Sequence, residues 1–152
     1  MSRPLVATYR LQFREGTTFQ TARDLSAYWK RLGVSHLYAS PIFAAAEGST
    51  HGYDVTDYNA LDEDLGGIGD FTDMSNALAS AEIGLILDFV PNHMGVSPRN
   101  HWWEDVLRWG EESRYAHTFD IAWEAARIIV PVLAKPYGDA LEAGDLSVQL
   151  DE

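Results

Sequence analysis

Cysteine is absent from this chain, which excludes a disulfide framework and every chemistry that runs through a thiolate. Basic residues are scarce. Eleven lysines and arginines (11) stand against 23 aspartates and glutamates in 152 residues, giving a formal net charge of −12 and a pI near 4.6. So negative a surface repels nucleic acid and anionic membranes, so neither is expected as a partner, while a neutral or cationic ligand is compatible with it. Long apolar runs are missing too. No stretch approaches the ~20 residues of a membrane span, and MSRPLVATYRLQF holds no apolar core of signal-peptide length before Arg10. These absences predict a soluble, cytoplasmic protein. A phosphate-cradling fingerprint is also lacking, because Gly66, Gly67 and Gly69 neither follow a strand nor keep the required spacing. What remains is ordinary for a folded domain: 46% hydrophobic and 22% charged residues.

The hydrophobic pattern alternates between strand and helix periods. Leu5 to Leu11 is rich in strand formers, and Thr17 and Thr18 offer N-caps to a helix whose apolar face is Phe19, Ala22, Leu25, Trp29 and Leu32. Gly33 stops that helix, and Val34 to Ala39 form a second strand broken by Ser40-Pro41. A long polar segment, Glu47 to Gly69, reads as a loop. Asp70 is placed to cap a second helix with an apolar face of Phe71, Met74, Leu78 and Ala81, ended by Gly84. Leu85-Ile86-Leu87 is then an unbroken apolar run too short for a helix, as in a parallel strand covered on both faces. Alternation of this kind builds a parallel sheet, either open or the first part of a barrel. Beyond His93 it stops. Asn100 to Trp109 suggests a short helix with Trp102, Trp103, Val106 and Trp109 on one side, Ile128 to Leu133 a strand broken by Pro131, and Leu146, Val148 and Leu150 a half-buried strand.

Polar residues gather where parallel strands end, which is where α/β folds carry their sites. After the third strand come Asp88, Asn92 and His93; within the long loop lie His51, Tyr53, Asp54, Asp57 and Tyr58. Aromatic rings beside His and Asp suit a sugar, whose apolar face packs on a ring while its hydroxyls take hydrogen bonds. The blander readings are a turn tied down by Asp88 and Asn92, a loop plugged by its own tyrosines, and a satisfied histidine at His93. No HExxH or paired Cys/His spacing supports a catalytic metal, and no spacing selects a pair of carboxylates for glycoside cleavage. The tryptophans of the 100–109 segment read as core, and Arg23, Asp24, Lys30 and Arg31 as a solvated helix face.

Three segments together resemble the alpha-amylase superfamily, glycoside hydrolase family 13: DFVPNH (Asp88 to His93), HGYDVTDY (His51 to Tyr58) and SPIF (Ser40 to Phe43). A further set, including ATYRLQF, SHLYASPIF, NHWW, FDIAW and VPVLAKPYGDALEAGDL, is similar to the maltooligosyl trehalose synthase family within it. The resemblance implies α/β architecture, with residues 1–97 as about three strand–helix steps of a (β/α)8 TIM barrel. Residues 98–152 would then be the start of an insertion after strand 3. It implies an intramolecular transglucosylase that turns the reducing-end α-1,4 linkage of a maltooligosaccharide into an α,α-1,1 linkage; the alternatives are another glucan hydrolase or transglucosylase of the superfamily, or a non-catalytic carbohydrate-binding domain. It implies Tyr53 stacking on the sugar, His93 donating a hydrogen bond to it, His51 assisting, Asp88 mainly structural, and Asn92 near the metal of calcium-binding members. No metal or other cofactor is expected here. The family's nucleophilic Asp and acid/base Glu follow later strands, so they are expected beyond residue 152, and these residues alone are expected to be inactive and to need the rest of the barrel.

Overall fold

The computed structural model describes residues 4–125, 127, 128, 130 and 133–147, and the chain falls into two compact units, Met1–Tyr115 and Ala116–Glu152. The first unit opens with β1 (Thr8–Leu11), two short helices α1 (Phe19–Asp24) and α2 (Ser26–Leu32), and β2 (His36–Ala39). An antiparallel pair follows, β3 (Phe43–Ala45) with β4 (Val55–Leu61), then a 3₁₀ turn (Glu63–Leu65), α3 (Ile68–Ser80), β5 (Gly84–Leu87) and α4 (His101–Trp109). Strands β1, β2 and β5 make a parallel sheet in that order, with Leu11 beside Ala39 and Ala39 beside Leu87. The three strands therefore end level.

The first helix expected from the sequence is interrupted at Leu25 (φ −83°, ψ −5°). The i to i−4 ladder runs on across the break, from Leu25 N to Thr21 O and from Trp29 N to Leu25 O, so the apolar stripe survives. Phe19, Ala22 and Trp29 are fully buried, whereas Leu32, in the last turn, is 51% exposed. Thr18 and Thr21 form a reciprocal capping box at the start. Gly33 ends α2 in the left-handed region (φ 84°), its N–H donating to Trp29 O and Lys30 O. Arg23, Asp24, Lys30 and Arg31 lie outward, with Arg23 on Asp24 and Lys30 on Glu82.

Two expectations about α3 are corrected. Its N-cap is Gly67, which is extended (φ −77°, ψ −176°) and hands the chain to the helix at Ile68; Asp70 lies in the first turn, where a carboxylate suits the positive end of the helix. Its stop is Glu82 (φ 59°), with Glu82 N on Ala79 O and Ile83 N on Leu78 O, and not Gly84. Gly84 answers a different need. A Cβ there would lie 2.3 Å from the His36 ring across the β2–β5 pair.

Leu37 and Ala39 of β2 are buried with Phe13, Phe19, Trp29, Met74 and Leu78 in one core on the helix side of the sheet, each large side chain contributing ~1.5–3 kcal/mol. The alternate row, Arg10, Tyr38 and Ile86 in register, points to the opposite face. The strand expected at Leu85-Ile86-Leu87 is present and parallel, with Leu85 packed against the core and Ile86 half-buried. Among the described residues β5 is an edge strand, and Leu87 is 40% exposed.

The segment expected as one long loop holds β4, the 3₁₀ turn and the start of α3. Val55, Thr56 and Tyr58 are strand formers, and Val55 and Thr56 are buried. In α4, Asn100 is the N-cap, its Oδ1 accepting from Trp103 N at 3.1 Å. Adjacent Trp102 and Trp103 are ~100° apart on a helix and do not share a side: Trp103 and Val106 are buried, Trp102 stacks on Tyr115 at 5.4 Å, and Trp109 is exposed. In the second unit α5 (Tyr137–Glu142) ends near Gly144 (φ 75°), with Lys135 paired to Asp145 at 2.8 Å. Of the strand expected at 128–133, Ile129, Pro131 and Val132 lie outside the described residues, and Ile128, Val130 and Leu133 are in no strand. Val148 and Leu150 also lie outside them, and Leu146 is in no strand.

Candidate functional site

Because the three strands end level, the first residues past them, Gln12, Ser40 and Asp88, lie along one rim. Backbone pairing carries one step further, with Ser40 N on Leu11 O and Asp88 N on Ala39 O, both at 3.0 Å. Asp88 Oδ2 accepts two phenolic hydroxyls, Tyr53 Oη at 2.6 Å and Tyr38 Oη at 3.0 Å. Tyr53 Oη also accepts from Arg10 Nη2 at 3.3 Å, so its ring is held from two sides. The same guanidinium donates to Gln12 Oε1 and lies 5.7 Å from the Tyr38 ring centre. The hydrogen bond donated to Asp88 pushes the Tyr38 phenol above its ordinary value of 10.0, and burial and the Asp88 charge add to this.

The loop bearing Tyr53 is held from below. Arg14 is buried, donating from Nη1 to Pro41 O at 3.0 Å and from Nη2 to Asp62 Oδ2 at 2.6 Å. Gly52 (φ 79°) passes so close that a Cβ would stand 2.6 Å from the Arg14 guanidinium carbon. Gly52 N donates to Ser49 Oγ, which in turn donates to Asp54 Oδ1 at 2.5 Å. His51 stacks on Tyr53 with ring centres 6.0 Å apart, and its Nδ1 accepts from Tyr53 N at 3.0 Å.

Asn92 and His93 stand on an exposed turn, His93 Nδ1 against Asn92 Oδ1 at 3.0 Å. An amide oxygen carries no proton, so Nδ1 is the donor and Nε2 of the neutral ring is left as an acceptor. The structure thus brings Tyr53, Asp88 and His51 into one group. A cleft walled by Tyr53, Asp88, Tyr58, Phe43 and Phe89 lies beside them, and neither Asn92 nor His93 lines it. It encloses about 10 Å³, the size of one water. Arg10, Arg14 and Tyr38 escaped the sequence reading. An arginine or tyrosine inside a strand-like run gives no local signal, although the alternation of β1 and β2 does put Arg10 and Tyr38 on the face away from the helices. Among the described residues no three His, Asp or Glu side chains stand close enough to hold a metal ion.

The sequence profile of the alpha-amylase catalytic domain matches residues 23–132. The chain belongs to the alpha-amylase catalytic-domain family. A Mycobacterium tuberculosis protein bearing the name maltooligosyl trehalose synthase is 46% identical over 97% of this chain and 22% of its own length. An intracellular maltogenic amylase of Bacillus subtilis is 36% identical over 70% of this chain and 17% of its own. A crystal structure of a maltooligosyl trehalose synthase superposes with a TM-score of 0.88 at 38% identity, over 97% of this chain and 21% of the other. The chain spans about a fifth of the length of the relatives it matches. As a member of this family it supplies the first strands of the alpha-amylase TIM barrel, with β1, β2 and β5 in barrel order.

Proposed function

We propose that the chain forms the sugar-stacking part of an intramolecular transglucosylase that converts the reducing-end α-1,4 linkage of maltooligosaccharides to α,α-1,1. The observation carrying this reading is the extent of likeness: 46% identity to a maltooligosyl trehalose synthase over 97% of the chain, against 36% over 70% for a maltogenic amylase. Residues 1–97 are the barrel portion in this reading, and residues 98–152 the start of the insertion after the third barrel strand. The cut between compact units lies after Tyr115. A cytoplasmic setting belongs to the same proposal, and a cysteine-free chain suits it.

Each assigned residue has a physical role. Tyr53 offers a ring fixed by Asp88 and Arg10, on which a pyranose face packs without ordering the ring anew. His51 widens that platform. Asp88 acts through Tyr53 and Tyr38, which already occupy its Oδ2. Asn92 orients the His93 ring through Nδ1, which leaves Nε2 to share a hydrogen bond with a sugar hydroxyl. The nucleophile and acid/base carboxylates of retaining chemistry are assigned to none of these residues. The test is maltopentaose mixed with the purified 152-residue chain and followed by saturation-transfer NMR and product analysis. Saturable contact at the Tyr53 ring with no trehalosyl product is expected. Contact equal to that of cellopentaose, or turnover, contradicts the proposal.

A further inference from the structure

We infer that Tyr58 is a positioning residue for the turn bearing Asn92 and His93, and hence for the sugar hydroxyl that His93 meets, the latter clause resting on the function proposed above. Tyr58 sits on β4 within the same run as Tyr53. Its Oη lies 2.8 Å from Val90 O and 2.8 Å from His93 O, the two carbonyls that bracket Pro91 and Asn92. One hydroxyl proton is shared between both acceptors. The backbone anchors on either side are Asp88 N to Ala39 O and Gly95 N to Val55 O at 2.8 Å. Pro91 brings no N–H to the turn between them, and there a side chain from another element holds the carbonyls.

The ring that carries this hydroxyl is itself fixed. Tyr58 meets Phe43 edge-on at 5.9 Å and Phe89 edge-on at 5.3 Å, and Phe43 meets Phe89 at 5.9 Å. Three rings in mutual edge contact leave Tyr58 little freedom to follow the turn, so the turn follows Tyr58. Burial raises the Tyr58 phenol above its ordinary value, which keeps the proton on the donor. The approach is close elsewhere too: a Cβ on Gly95 would stand 2.6 Å from Asp54 O. One segment, 53–58, thus places Tyr53 on Asp88 at one end and the His93 turn at the other.

Tyr58→Phe keeps the ring cluster and removes only the hydroxyl, and circular dichroism checks that the variant is folded. The first readout needs no sugar. Backbone ¹⁵N order parameters of Asn92, His93 and Met94 should fall from the rigid range, ~0.85, to below ~0.6, while Tyr38 still titrates late. Unchanged order parameters overturn the inference. The second readout is a double-mutant cycle on maltopentaose Kd. Tyr58→Phe should weaken binding about tenfold, the scale of a lost hydrogen bond to a turn that must then be reordered, and have no further effect in the His93→Ala background. Additive losses would show that Tyr58 acts elsewhere and overturn the inference. Should the unmodified chain fail to bind maltopentaose at all, the proposed function falls, and the order parameters still decide the role of Tyr58.

Discussion

At the scale of single residues, the rim is organised by one carboxylate oxygen that receives two phenols. Asp88 Oδ2 holds Tyr53 and Tyr38, and the Tyr38 phenol is raised in consequence. A group whose folded value lies above its unfolded one stabilises the fold fully below the unfolded value and loses that contribution as pH rises through the folded value. The network should therefore be intact up to about pH 10 and fail above it. In a tyrosinate absorbance titration, Tyr38 and Tyr58 should each ionise above the ordinary value of 10.0. Asp88→Asn should bring Tyr38 back toward 10.0; a late Tyr38 in that variant would contradict the role given to Asp88. The sequence exposed Asp88 and Tyr53 as candidates through their place at strand ends. It could not expose Arg10 or Tyr38, whose meaning comes from β1 and β2 lying side by side.

At the scale of elements, close approach explains what propensity does not. Gly52, Gly84 and Gly95 each stand where a Cβ would meet another segment at 2.6 Å or less, whereas Gly16 (φ 87°) has only its backbone conformation to defend. Gly52→Ala combines left-handed strain with the Arg14 clash and should cost about 2–4 kcal/mol, against about 1 kcal/mol for Gly16→Ala. Denaturant midpoints of the two variants check this, and equal losses would remove the case for contact with Arg14. Thr18→Ala removes half of the capping box and should cost ~1 kcal/mol in the same assay. The apolar faces at 19–29 and 71–81, Gly33 and the parallel order of strands were legible because each follows from local periodicity or a stop signal, whereas the face of α4 was not, since Trp109 is exposed. The β3–β4 pair was not. Its strand formers are embedded in Gly-, Asp- and Tyr-rich sequence, and the partner strand, Phe43–Ala45, is short, Ala-rich and without alternation. Glu82 hid the end of α3 for a related reason: a glutamate in the left-handed region (φ 59°) is uncommon, and Gly84 offered a more familiar stop nearby.

At the scale of the molecule, the parallel sheet leaves open edges on β1 and β5 among the described residues, with Leu87, Phe89 and Tyr9 exposed beside them. Such edges template further pairing. The 152-residue chain is expected to self-associate with rising concentration in light scattering despite its charge of −12; a monodisperse monomer that melts cooperatively would count against this. The polar face of the sheet, with Arg10, Tyr38 and the Asp88–Tyr53 pair, is the face on which a barrel interior would be built. In the proposed function, Tyr53, fixed by Asp88 and Arg10, is the platform for the sugar. The measurement closest to that is calorimetric titration of maltopentaose into the chain and into its Tyr53→Ala variant. Saturable binding that weakens at least about fivefold without the ring, the scale of one lost aromatic contact, is predicted; equal binding by the two proteins would contradict it.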